Sequence, residues 1–354
     1  MRYTQLIRCL VIGAALICSQ VQVAAHSTIT PTPTLLPEDV ILQWNRVLLD
    51  TVRAPGQHPA TIMQVRSYAI MHAAMFDAAN SIDGTYTPYL TEVPGTLNAS
   101  LEAAAAQAAH DVLVGLYPTR KAVFDAELAN SLLGIESNRA QQGIRVGQIV
   151  AERMLAARAN DGWNVAPPVY SLPATAGNWQ PTPPANSPAT FTHYPSVMPF
   201  GIKSPNHFMP GPPPAMTSAQ YAADFEEVKQ LGAANSAIRT ADQTKVAQLW
   251  ANVNTPTNFL FVWNNVARSV STAQQTKTVE KARLFALINI ALHDALQVTF
   301  ASKFKYGLWR PVTAIRRASE DGNPNTTPDT EWSSLIATPP YPSYAGNMAA
   351  IGTS

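Results

Sequence analysis

Lys303 and Arg310 stand seven residues apart in the run Lys-Phe-Lys-Tyr-Gly-Leu-Trp-Arg-Pro. In an unbroken helix that spacing is nearly two turns and puts both cations on one face. Gly307 and Pro311 argue against an unbroken helix, and Pro311 biases Arg310 toward an extended backbone. Arginine offers a planar fork of donors and lysine a compact charge, a pair suited to phosphate or a phosphate-like oxyanion. By spacing alone, two such cations are usually a solvated face.

The other reactive side chains form no comparable group. His26 and His58 sit in polar or loop context, and His193 and His207 in a proline-rich stretch. His72, His110 and His293 fall in helical patterns, where the ordinary role is a hydrogen-bonded core or boundary residue. No His-x3-His or Glu-x-x-His pair occurs, so no metal ligand set is expected. No glycine-rich phosphate loop or Gly-x-Ser-x-Gly elbow is present. Asn98-Ala99-Ser100 and Asn325-Thr326-Thr327 fit the glycosylation sequon by pattern only.

Helices must position these residues. Apolar periodicity predicts them over Asp39–Val52, Ser67–Ile82, Leu101–Leu116 (stopped by Pro118), Arg120–Leu133 and Asn138–Ala159, with Gly162 as a stop. Thr217 with Gln220, and Thr240 with Gln243, fit the capping box at two later helix starts. Phe259–Ser269 reads as helical, and Thr276–Phe300 as a long apolar helix with little polar surface, so it should lie centrally. No alternating strand pattern and no repeat of fixed period is visible. Residues 163–216 hold 14 of the 29 prolines, which rules out a regular helix or central strand there. Its many aromatics predict a long loop packed over the helices rather than an exposed linker. The fold class expected is all-α.

Length and composition bound the rest. A chain of 354 residues with 46% hydrophobic and 13% charged residues is globular, and a formal charge of +1 gives no basic signature for nucleic acid. The first 25 residues read as a secretory signal: Arg2 and Arg8, an apolar run over Leu10–Ile17 too short to span a bilayer, then Val23 and Ala25 as small residues before a cut at His26. The expectation is export to the periplasm or outside the cell, with no stable membrane span once the signal is cleaved. Cleavage would remove both cysteines, Cys9 and Cys18, and with them any disulfide or thiolate chemistry. It would also remove two basic residues and no acid, turning +1 into −1.

Lys-x6-Arg-Pro, in a segment preceded by His293-Asp294-Ala295, resembles the first signature of the vanadium-dependent haloperoxidases and the related type 2 phosphatidic acid phosphatases. Met71 to Ala78, Pro210 to Pro214, Leu249-Trp250-Ala251-Asn252 and Pro339-Pro340-Tyr341-Pro342-Ser343-Tyr344 also look like bacterial haloperoxidase-type proteins, so the likeness covers most of residues 26–354. It implies a single helical-bundle domain and a pocket for vanadate, or for a substrate's phosphate, between three signature segments. It further implies peroxide and a halide, or a phosphoester, as small-molecule partners, and leaves room for a homodimer. Carried over by position, Lys303 and Arg310 would bind the oxyanion, with Ser343, Gly346 and Asn347 from the second segment.

The sequence departs from that pattern twice. The family's second segment is a Pro-Ser-Gly-His type loop, whereas here Pro342-Ser343-Tyr344-Ala345-Gly346-Asn347-Met348 has no histidine under either alignment. Asparagine cannot exchange protons near neutral pH as histidine can. The third signature, an arginine stretch followed by an essential histidine, is not present before Ser354, so a C-terminally truncated form is expected. The catalytic residues are therefore unassigned. Three readings stand: a haloperoxidase-like enzyme, an acid phosphatase on the same pocket, or a non-catalytic phosphate-binding helical protein.

Overall fold

The structure, a computed structural model, describes residues 38–57, 62, 64–94, 98–251 and 259–353. The signal-like segment with Cys9 and Cys18, and also His26, His58 and Asn252, lie outside the described residues. The described residues from Glu38 onward form one compact unit.

Asp39 opens the first helix, α1 (Val40–Arg53), its carboxylate accepting from the Ile41 N–H at 2.9 Å. Helix α2 (Gln64–Asp83) is buried along almost its whole length, as its alanine-rich sequence requires. Ser100 caps α3 (Leu101–Leu116), which ends before Pro118; a 3-10 turn over Pro118–Arg120 then leads into α4 (Lys121–Ser131). Helix α5 (Ser137–Arg158) packs closely on α3. Gly147 makes that approach possible: a Cβ there would come within 2.5 Å of the Ala104 carbonyl oxygen. The later helices are α6 (Ala219–Gly232), α7 (Ala241–Ala251), α8 (Phe259–Ala273), α9 (Thr278–Tyr306), α10 (Pro311–Arg316) and α11 (Asn347–Thr353). Among the described residues the only β-type pairings are two isolated bridges, Asn178 with Leu308 and Ala233 with Ser334. The all-α class expected from the sequence holds.

Two helix starts sharpen the expectations. Thr240 and Gln243 form the reciprocal capping box, at 2.8 and 3.1 Å. The box placed on Thr217 and Gln220 is wrong by one residue: Ser218 is the cap, and its hydroxyl accepts from the Tyr221 N–H at 3.1 Å. Either hydroxyl residue could satisfy a free N–H there, and the backbone selects the second.

Helix α9 is the spine. By length and composition it could cross a membrane, but here it contacts α1, α2, α8 and α11 and the 3-10 turns of the proline-rich segment. Phe285 and Phe300 on α9 and Tyr68 on α2 are fully buried, each burial removing enough apolar surface from water to contribute about 1.5–3 kcal/mol. Residues 163–216 form the long packed loop that the aromatics indicated, with Trp179 and Tyr194 buried.

The core also carries a duplicated pattern that a search for a fixed period misses. Trp-Asn-x-Val occurs at Trp44–Val47 and again at Trp263–Val266. Asn45 meets Nε2 of His72 at 3.0 Å, and Asn264 donates to Asn289 at 2.9 Å. Five residues beyond His72 and Asn289 come Asp77 and Asp294. Each accepts three successive backbone N–H groups of a loop, Tyr89 to Thr91 for Asp77 and Phe200 to Ile202 for Asp294. Asp294 therefore anchors the proline-rich segment to α9, assisted by the Arg158 guanidinium stacked 3.7 Å from the centre of the Phe200 ring.

Candidate anion-binding site

Lys303 and Arg310 are not on one continuous helix. Helix α9 ends at Tyr306, and Gly307 takes the left-handed conformation (φ 59°) that closes it, its N–H returning to the Lys303 carbonyl at 2.9 Å. Glycine adopts that conformation without a Cβ penalty. Arg310 is extended, as Pro311 dictates, and precedes α10 with Pro311 in its first turn. The cations thus flank a helix break. The helix expected to end at Phe300 runs on to Tyr306, so His293 and Asp294 share α9 with Lys303.

The break is held from two sides. The Trp179 N–H donates to the Gly307 carbonyl at 2.7 Å and the Trp309 N–H to the Gly177 carbonyl at 2.8 Å, so the proline-rich segment pairs with the motif. The Ser343 N–H donates to the Leu308 carbonyl at 2.9 Å, which ties in the second segment. Tyr306 and Tyr344 donate their hydroxyls to the carbonyls of Pro210 and Gly211.

Tyr341 brings the two cations together. Lys303 Nζ is 5.4 Å from the centre of its ring and the Arg310 guanidinium carbon 4.8 Å, and Arg310 Nε donates to the Tyr341 carbonyl at 2.6 Å. Lys303 is 2% exposed and donates to the carbonyls of Ser343 at 2.8 Å and Ala345 at 2.5 Å. Burial, and then the neighbouring Arg310 charge, pull the Lys303 ammonium down to about 6. Burial also lowers Arg310, against the hydroxyl of Tyr341. One guanidinium nitrogen of Arg310, Nη2, is buried with no hydrogen-bond partner among the described residues. A buried donor of that kind costs free energy until an acceptor reaches it.

Each sequence-derived site residue has a definite place. Lys303 and Arg310 converge on Tyr341. Ser343 contributes its carbonyl to Lys303 and also borders an apolar cavity. Asn347 is buried at the start of α11; its oxygen accepts from the Thr299 hydroxyl at 3.0 Å, and its amide lies 3.5 Å from the Tyr341 hydroxyl. Gly346 is exposed, and a Cβ there would make only an ordinary 3.7 Å contact with Ala349, so packing does not require glycine. Sequence reasoning did not single out Tyr341 or Thr299. Tyr341 had a signal, an aromatic inside a Pro-Pro-x-Pro run, whereas Thr299 had none.

Arg310 also borders a cavity of about 280 Å³ that includes Arg239, Ser334 and Thr338, with no carboxylate among the described residues of its lining. Arg239 is committed to the carbonyls of Leu231 and Ala233 at 2.6 Å each, and its charge still faces the same space. The arrangement can attract and hold a small anion. Its group of near-neutral pKa is Lys303 itself. His293 is fully buried ten residues before Lys303 on α9, with Nδ1 on Asp294 at 3.1 Å and its ring against Phe200 and Tyr194.

Three comparisons bear on this arrangement. Residues 283–354 match the model of the VCPO second helical-bundle domain. The vanadium chloroperoxidase of Curvularia inaequalis is 25% identical over 176 residues, 41% of this chain. That match spans 28% of the relative's length. The structure resembles that of a bacterial vanadium-dependent iodoperoxidase, with TM-score 0.69 and 19% identity, over 88% of this chain and 77% of the other. It also resembles a bacterial vanadium-dependent chloroperoxidase in its holo form, with TM-score 0.59 and 18% identity, over 90% and 75% of the two chains. The fold is that of the vanadium haloperoxidases, and the resemblance drawn from the Lys-x6-Arg-Pro segment is borne out.

Proposed function

We propose that this chain binds vanadate, or phosphate in its place, as the oxyanion-holding part of a haloperoxidase-type site. The observation that carries the reading is the pair of buried cations on Tyr341, with Arg310 Nη2 beside a cavity and, among the described residues, neither a partner for that nitrogen nor a carboxylate in the cavity's lining. These groups fit an oxyanion. Arg310 supplies its free guanidinium N–H groups. Lys303, once protonated, has three donors; two point at the carbonyls of Ser343 and Ala345, and the third is left for the ligand. Bound vanadate would supply Lewis-acid activation of peroxide for halide oxidation. The chain's own residues would do the rest: Lys303 and Arg310 would hold the anion and neutralise its charge.

A non-catalytic anion-binding role is favoured by one further observation. The second segment, Pro342 to Met348, has no histidine under either alignment with the family's Pro-Ser-Gly-His loop, and its Asn347 is engaged with Thr299. The signal-like start, with Arg2, Arg8 and the Leu10–Ile17 run, supports an exported protein; a mature chain beginning at His26 would bear this out. The test of function is direct. After vanadate is added, peroxide-dependent bromination of a dye supports the haloperoxidase, and hydrolysis of p-nitrophenyl phosphate supports the phosphatase. Neither activity, with phosphate binding that is lost in Lys303→Ala, supports the non-catalytic protein. No activity and no anion binding sinks all three.

A further inference from the structure

The Arg310–Pro311 step separates two cavities of opposite character. Pro311 and Val228 border both. One is the space beside Arg310 and Arg239 described above. The other, about 270 Å³, has no cation among the described residues of its lining, where Asp224 is the one charged residue. Its walls are aromatic and prolyl, including Tyr221, Phe225, Trp309, Tyr344 and Pro213. The volume is near the lower end of small-molecule sites, which run from roughly 300 to 1,000 Å³, so it suits a molecule of about one ring.

Asp224 gives the chamber its sign. It is exposed on α6, and one oxygen accepts from the Gln220 amide at 2.7 Å, leaving the second for solvent or a ligand. A carboxylate beside aromatic faces attracts a cation twice over, through its charge and through the negative faces of the rings. The same carboxylate repels anions, which the Arg310 side attracts.

We propose that this chamber is a binding site for an aromatic ring carrying a protonated amine, with the ring against Trp309 and Phe225 and the ammonium directed to Asp224. Binding here needs neither vanadate nor catalysis, so it stands independently of the oxyanion reading.

The test uses three probes with the same ring and different charge: tyramine, p-cresol and 4-hydroxyphenylacetate. Each is titrated into the full chain by calorimetry. The expected order of affinity is tyramine, then p-cresol, then the acid. Asp224→Asn, a surface change, should weaken tyramine about two- to fivefold, the range of an exposed ion pair, and leave p-cresol unchanged. Ala314→Phe, which fills the chamber, should abolish binding of all three while sulfate binding at Lys303 and Arg310 persists, showing that the variant is folded. The proposal is overturned if the acid binds as well as tyramine, or if Asp224→Asn leaves tyramine affinity unchanged. Loss of sulfate binding with tyramine binding intact would count against the oxyanion reading alone.

Discussion

Asn45 and Asn264, 219 positions apart in the chain, hydrogen-bond to one another at 2.8 Å through fully buried side chains. Each occupies the second place of a Trp-Asn-x-Val word, and each reaches onward to a residue on the next helix, His72 or Asn289. The result is a polar seam linking α1, α2, α8 and α9. His72 belongs to it as the neutral imidazole, because burial pulls its pKa down to about 3. A seam of this kind fixes the register of four helices, since sliding any one of them strands an amide in an apolar core.

Removing one member leaves its neighbours unpaired. Asn264→Leu is expected to cost about 1–3 kcal/mol for each buried group that loses its partner. Adding Asn45→Leu should cost less than the sum of the single changes, with a coupling of about 0.5–3 kcal/mol. Urea unfolding of the four members of the double-mutant cycle measures this, and strict additivity would refute the seam.

The Asp294 clamp has a defined pH range. Burial works against its charge, but hydrogen bonds from His293 and from the Phe200 and Gly201 N–H groups outweigh that and hold its pKa below the ordinary carboxylate value. Its stabilisation is therefore complete above the unfolded value of about 3.9 and is lost as pH falls through the lower folded value. Asp294→Ala should destabilise the protein at pH 7 and raise hydrogen exchange at residues 200–202, where three N–H groups lose their acceptor. Unchanged exchange there would show that the clamp is not what holds the loop.

Gly147→Ala tests the close approach of α3 and α5. Overpacking should cost about 1–3 kcal/mol. Gly352→Ala, where nothing lies within 4 Å of the added Cβ, is the control and should be neutral or slightly stabilising. Equal effects in chemical denaturation would contradict the packing argument.

Lys303 links anion binding to protons. It faces Arg310, the Tyr341 ring and the carbonyls of Ser343 and Ala345, and its pKa is near 6. An anion favours the ammonium form, so binding above pH 6 must take up a proton. Sulfate, which does not titrate in this range, should bind with constant affinity below about pH 6 and lose about tenfold per pH unit above it. In Lys303→Met the slope should disappear, whereas a slope that survives would assign the proton to another group.

Much of the scaffold was legible in the sequence. Helix periodicity, Pro118 and Gly162 placed the first-half helices to within a few residues, and Pro311 set the backbone of Arg310. The site was legible only in part. The acceptors that hold Lys303 are backbone carbonyls of residues 343 and 345, and a carbonyl has no sequence signature. Seven-residue spacing suggested a shared helix face, while Gly307 in fact ends the helix and Tyr341 supplies the common surface. The Asn45–Asn264 seam was hidden because its two halves recur once, at no fixed period.

The central measurement is vanadate binding to the full chain, followed by calorimetry in the wild type, Lys303→Met and Arg310→Met. One saturable site is expected, weakened in each variant by the loss of a charged hydrogen bond, about 1.5–3 kcal/mol or roughly 10- to 150-fold. Absence of saturable binding, or variants that bind as tightly as the wild type, would contradict the assignment of Lys303 and Arg310 as the oxyanion-holding pair.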